Sequence, residues 1–321
     1  MAPGANRIAA RAGWLKAGPY SGVFGEGHGG PFLQKGPPRI LLFLHSSLRE
    51  RSGVSFNSMS SLITLTTDFG TRDGYVAQMK GVILSINPEA RLIDVTHDIE
   101  SFDLIGAALV LKGLSEYFAP GATHVAVVDP GVGGERRGIV MRLDDRFFVG
   151  PDNGLFSQVF ERSASREVRE IGNSNLLLPE LHPTFHGRDV FAPVAAHLSL
   201  GVDFHSVGPV VEDPVMLSLP KPAQSGTGIE GEVIYIDRFG NLTTNIEAGM
   251  LSRRVDSVQI AGRKIKGIKR FFSEVPPGYP VALINSFGFL ELAVNLGNAS
   301  LDLSVQKGSR VTVTWSDSYL R

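Results

Sequence analysis

Between residues 62 and 200 short β-rich apolar runs alternate with helix-length stretches, and beyond residue 228 the helix-length stretches stop. The runs 62–67, 91–96 and 124–128 read as strands. Helices are expected over 75–86, stopped by Asn87-Pro88, and over 104–118, stopped by Pro120-Gly121. Two shorter strands, 139–143 and 146–149, and a helix over 188–200 complete this half. Alternation of this kind implies an α/β layer with a central, mostly parallel sheet. Residues 214–228, rich in Pro, Gly and Ser, read as a linker. Short strands follow at 232–236, 257–260, 281–285, 289–294 and 311–315, separated by turn signals such as Phe239-Gly-Asn241 and Lys307-Gly308. That spacing suits a small antiparallel barrel or sandwich. The expected organisation is an α/β N-terminal domain over 59–220 and a smaller all-β barrel domain over 228–321.

Residues 1–58 follow neither pattern. They hold ten Gly and five Pro, and seven basic residues against two acidic ones. A flexible basic extension is expected there. It reads either as a targeting segment or, the preferred alternative, as translation from upstream of an original start at Met59. No apolar run approaches the ~18 residues of a membrane span, so no membrane association and a cytoplasmic location are expected. The chain has no cysteine, which rules out disulfides, thiolate metal sites and a cysteine nucleophile. A formal net charge of -1 argues against a general nucleic-acid binder.

Polar residues cluster where the apolar strands stop: Asp68, Asp129, and Asp152 with Asn153. In open α/β sheets the carboxyl ends of strands line the ligand crevice, although Asp and Gly also simply make turns and caps there. Phe185-His-Gly-Arg-Asp189 places titratable groups beside a glycine, where backbone can approach a ligand; a lone histidine in such a setting also serves as a satisfied structural residue. Metal ligation is not expected, because no His-x-x-x-His or Asp-x-Asp spacing accompanies His186. Asp129-Pro-Gly-Val-Gly-Gly134 lacks the ending of a phosphate loop. Asp237-Arg-Phe-Gly-Asn241 reads either as a polar site or as a hairpin turn.

Together, six segments resemble one family in their order along the chain. They are Thr67-Asp-Phe-Gly70, Val128-Asp-Pro-Gly-Val-Gly133 with Glu135-Arg-Arg137, Pro151-Asp-Asn-Gly154, Thr184-Phe-His-Gly-Arg-Asp189, Asp237-Arg-Phe-Gly-Asn241 and Leu290-Glu-Leu-Ala-Val-Asn295. The chain, over about residues 62–315, resembles the S-adenosylmethionine hydroxide adenosyltransferases, water-using relatives of the S-adenosylmethionine fluorinases and chlorinases. The resemblance implies a homotrimer whose substrate lies between the N-terminal domain of one subunit and the C-terminal domain of its neighbour. It implies attack of water at ribose C5′ of S-adenosylmethionine, releasing adenosine and methionine, with no cofactor.

By the same resemblance Asp129, Arg136 and His186 activate the water, and Asp68 holds the ribose diol. Asp237 and Asn241 match the pair that binds the methionine amino end. Phe102 and Phe185 match aromatics around ribose and adenine, a core role being the alternative for each. Ser286 and Phe287 fall where the methionine carboxylate is held; the halogenases place Ser-Arg there, so backbone amides are expected to serve instead. Halogenases also carry Tyr-Pro where this chain has Asp129-Pro130, and a carboxylate repels a halide. The alternatives are a non-catalytic S-adenosylmethionine or adenosine binder and, less favoured, a halogenase.

Overall fold

A computed structural model of the chain describes residues 61–316. The extension expected over 1–58 lies outside the described residues.

In the first half the chain runs β1 (Leu62–Thr67), α1 (Tyr75–Ile86), β2 (Arg91–Thr96), α2 (Leu104–Leu114), β3 (Thr123–Val127), β4 (Gly138–Leu143), β5 (Arg146–Pro151), α3 (Ser157–Arg162) and β6 (Arg166–Glu170). A π-helical turn, Gly187–Phe191, leads directly into α4 (Ala192–Ser199). Helix α1 forms because Val76, Met79 and Ile83 recur on one buried face, and it ends before Pro88, which disfavours helical geometry at Asn87. Helix α2 starts at Asp103, whose carboxylate accepts the Gly106 N–H at 3.0 Å.

The six strands form one sheet in the order β2-β1-β3-β5-β4-β6. Pairs β2-β1, β1-β3 and β3-β5 are parallel, whereas β4 is antiparallel to both β5 and β6. The sheet is therefore mixed, and the expectation of a mostly parallel one needs correction. Its cause is local. Only Asp144 and Asp145 separate β4 from β5, both at positive φ (47° and 64°). A two-residue link with that geometry closes a hairpin and cannot make a parallel crossover.

Alternate residues of β3 feed two cores. Val125 and Val127 pack with Met79, Ile83 and Ala195 on one face. Ala126 and Val128 pack with Ala107, Leu111 and Phe156 on the other. From β1 the chain goes first to β2 on one side and then to β3 on the other, so the strand order reverses between β1 and β3. A crevice opens at the carboxyl ends of strands at such a point. Thr67 is in register with Val127, which sets Asp68 and Asp129 at its two lips.

The second half is an antiparallel sheet of β7 (Ala223–Gln224), β8 (Gly228–Ile236), β9 (Leu242–Glu247), β10 (Val255–Ile260), β11 (Arg263–Lys266), β12 (Pro280–Ile284), β13 (Phe289–Val294) and β14 (Arg310–Trp315). The order is β11-β10-β14-β8-β9-β13-β12, with β7 on β8. Strand β8 pairs with β14 through its first half and with β9 through its second, which lets one sheet curl around Ile229, Val258, Leu290 and Val313. The curl nearly closes: the Lys269 N–H donates to the Ala282 carbonyl at 2.7 Å, bridging the β11 and β12 ends. This half meets the first along α2, where Leu109 packs with Ile234 and Phe289.

Candidate active site

After β3 the chain turns sharply, the Val132 N–H reaching the Asp129 carbonyl (3.3 Å) and the Gly134 N–H that of Gly131 (3.0 Å). The turn lies against the loop before the π-helical turn. At Gly133, with φ of 75°, a Cβ would stand 2.3 Å from the Pro183 carbonyl oxygen. A residue without a side chain is what lets the two loops touch, and their contact brings Arg136 to His186.

Arg136 organises the site. Its Nε donates to both Asp129 carboxylate oxygens at 3.0 and 3.1 Å, and its Nη2 donates to Asp129 Oδ2 at 2.5 Å. Nη2 also lies 2.9 Å from His186 Nδ1. The Asp129 side chain is 4% exposed and that of Arg136 12%, so this charged contact is shielded from water. A guanidinium has no acceptor, so Nδ1 of His186 must accept. Burial first, and then the Arg136 charge, hold the His186 pKa below its ordinary value. The ring is thus neutral at pH 7 with its proton on Nε2.

Asp189 braces the same loop. It is fully buried and accepts from Arg188 Nε at 2.6 Å and from the His182 N–H at 2.7 Å. Burial acts to raise its pKa, but these hydrogen bonds outweigh it and the carboxyl is held low. Arg188 lies over the Phe185 ring, 5.0 Å from its centroid.

A cavity of about 730 Å³ opens here, lined among others by Asp68, Phe102, Asp129, Phe185 and His186. Asp68 Oδ2 accepts the Phe102 N–H at 3.0 Å. Of the two readings for the aromatics, Phe102 is no core residue: it is 66% exposed at φ of 66°. Phe185 is buried, packing edge-on to Tyr75 (5.2 Å), and still forms part of the wall.

Asp237, Asn241, Ser286 and Phe287 do not line this cavity. Asp237 holds a tight turn through the Asn241 N–H (2.8 Å) and Asn241 Nδ2 (2.9 Å), and faces a second cavity of about 670 Å³ between the two halves. Ser286 is exposed, and Phe287 packs toward α2. Asp152 is a structural residue, paired with Arg137 and accepting the Val215 N–H at 2.8 Å. Asn153 braces the β3 end through the Val128 carbonyl (2.9 Å). Tyr75 and Gln78 also line the first cavity, though no motif marks them. Only the fold marks them, by setting the first turn of α1 beside the crevice. Among the described residues no group of three or more His, Asp or Glu side chains is placed to hold a metal ion.

Two family models match the chain: the SAM hydroxide adenosyltransferase N-terminal domain over residues 63–208 and the C-terminal domain over 231–312. An (R)-S-adenosyl-L-methionine hydrolase of Salinispora arenicola is 40% identical over 255 residues, covering 78% of this chain and 97% of that protein. A crystal structure from Thermotoga maritima, of an uncharacterized protein 39% identical, superposes with a TM-score of 0.73 over 78% of this chain and 99% of its own. A fluorinase of Actinoplanes is more distant, at 30% identity over 79% of this chain and 97% of its own.

Proposed function

The chain belongs to the SAM hydroxide adenosyltransferase family, and from that premise we propose that it hydrolyses S-adenosylmethionine to adenosine and methionine. The substrate of the (R)-S-adenosyl-L-methionine hydrolase relatives extends the proposal to the (R) sulfonium epimer. The observation that carries it is the shielded Asp129–Arg136–His186 contact beside a cavity that also holds Asp68.

The leaving group is a sulfonium that departs as a neutral thioether, so neither a general acid nor a cofactor is required. The demand falls on the nucleophile. Bulk water has a pKa of about 15.7, and forming free hydroxide at pH 7 costs roughly 12 kcal/mol at about 1.36 kcal/mol per unit. An ordinary carboxylate cannot meet that alone, so proton transfer accompanies attack. Asp129 accepts the water proton. Neutral His186 donates from Nε2 to the water oxygen and orients its lone pair toward C5′. The Arg136 charge favours the developing hydroxide, and in-line placement against C5′ supplies the rest.

Asp68 takes the ribose diol between Phe102 and Phe185. Asp237, Asn241 and the backbone at Ser286 and Phe287 hold the methionine end. That these four lie off the Asp129 cavity supports a complete site assembled in a homotrimer, from the 59–220 domain of one subunit and the 228–321 domain of the next. The enzyme works in the cytoplasm.

The test is incubation with each sulfonium epimer and chromatography for adenosine and methionine. Both products are expected in equal amounts; no adenosine above the uncatalysed rate ends the hypothesis. Asp129→Asn is expected to lower kcat by about 10²-fold or more while adenosine still binds.

A further inference from the structure

The turn that carries Phe102 is held from the other domain. Glu100 to Asp103 form a β-turn closed by the Asp103 N–H to the Glu100 carbonyl at 2.9 Å. Phe102 is its third residue, at φ of 66°, and Ser101 has no positive φ, which makes the turn type II. That position favours glycine, and a phenylalanine stays there only when its surroundings over-determine it. The turn is also the partition between the two cavities: Ser101 and Phe102 wall the Asp129 cavity, while Glu100 and Asp103 wall the interdomain one.

Across the interdomain cavity stands Lys307. Its Nζ donates to Glu100 Oε2 at 2.5 Å and to Asp103 Oδ2 at 2.7 Å, the first and last residues of the Phe102 turn. Lys307 itself sits at the tip of a turn, Gln306 to Ser309, closed at 3.1 Å and pinned to β8 by the Gly308 N–H to the Val233 carbonyl at 2.8 Å. Asp103 is the better shielded partner, 14% exposed against 73% for Glu100. Its other oxygen caps α2, so one carboxylate ties lysine, turn and helix together. Burial acts to lower the Lys307 pKa, but the two carboxylates outweigh it and hold the ammonium charged.

We propose that Lys307 is a positioning residue: reaching from the barrel domain, it staples the strained Phe102 turn and so fixes the Phe102 N–H on Asp68, setting the ribose subsite from the other side of the turn. The consequence for turnover rests on the hydrolase reading; the clamp itself does not. A ribose contact made equally in ground and transition states acts on KM and leaves kcat alone.

Lys307→Met, Lys307→Arg and the wild type are compared in two assays. Steady-state hydrolysis is expected to show KM raised roughly fivefold in Lys307→Met with kcat within twofold, and recovery in Lys307→Arg, whose guanidinium spans two carboxylates. Cleavage at Glu100 by a glutamate-specific protease, with no ligand present, is expected to quicken in Lys307→Met and return to the wild-type rate in Lys307→Arg. An unchanged cleavage rate overturns the clamp, and quickened cleavage with unchanged KM overturns the positioning role. A merely structural lysine predicts loss of kcat per mole of protein and of thermal stability instead, with KM unmoved. Should the wild type release no adenosine, the hydrolase reading fails and the protease assay still decides the clamp.

Discussion

Arg136 spends its donors in a way no other side chain can. One nitrogen, Nη2, serves Asp129 and His186 at once, while Nε spans the carboxylate. A lysine is a point charge and cannot hold both partners in one plane. The arrangement sets a direction for pH. The His186 pKa lies below its ordinary 6.5, by burial first and the Arg136 charge second. In the proposed mechanism the neutral ring is the working form, present above the shifted pKa and lost as pH falls through it. Once protonated, Nδ1 becomes a donor facing another donor and the contact breaks. A profile of kcat/KM against pH is expected to hold level around neutrality and to fall on the acid side, with a midpoint below 6.5. A midpoint at or above that value would remove His186 from the triad. The three residues stood out in the sequence by their place in ordered motifs, and Asp68 and Asp129 by following apolar strands. Two things were out of reach there. One was which carboxylates were already engaged, as Asp152 is with Arg137. The other was which helix residues face the crevice, as Tyr75 and Gln78 do. Both depend on neighbours distant in the chain.

The contact between Arg136 and His186 depends on two loops meeting, and the meeting point is Gly133. With φ of 75° and a hypothetical Cβ 2.3 Å from the Pro183 oxygen, alanine there both strains the backbone and drives the loops apart. The strain alone is about 1–2 kcal/mol, readable as a lower urea midpoint. The displacement matters more, because moving a catalytic group by an ångström lowers turnover by roughly 10²-fold. Gly133→Ala is therefore expected to retain the fold, lose modest stability and lose most activity. Activity within twofold of wild type would show that loop contact does not set the triad. At this scale the helix over 75–86 was legible to the residue, since an apolar face and Asn87-Pro88 define its body and its end. The mixed sheet was not. Residues 139–143 and 146–149 read as two strands in either direction, and the deciding fact was the two-residue link, Asp144-Asp145, with both φ values positive. Glycine would have announced that turn; aspartates adopt it more quietly. The helix expected over 188–200 opens instead with a π turn at Gly187–Phe191, where Asp189 is drawn inward to bind Arg188 and His182.

At the scale of the whole molecule, Asp129 and Asp237, one from each end of the proposed substrate site, face different cavities of one chain. Asp129 and His186 line the first, and Asp237 the second, with the Phe102 turn between them. On the proposed trimeric reading, a substrate that touches both Asp129 and Asp237 takes them from different subunits. Complementation separates this from a site completed within one chain. Asp129→Asn spoils the N-terminal contribution, and Asp237→Asn the C-terminal one, so each homotrimer alone is expected to be nearly inactive. In a cyclic trimer each site takes one domain from each of two neighbours. A site is intact when its N-terminal part comes from an Asp237→Asn subunit and its C-terminal part from an Asp129→Asn subunit. If the two variants are denatured together in equal amounts and refolded, about a quarter of the sites meet that condition by chance. Activity near a quarter of the wild type, refolded in parallel, is the expected result. No recovery, with a trimer still seen by light scattering, would place the whole site within one chain. The Phe102 turn would then have to move aside for substrate to span both cavities.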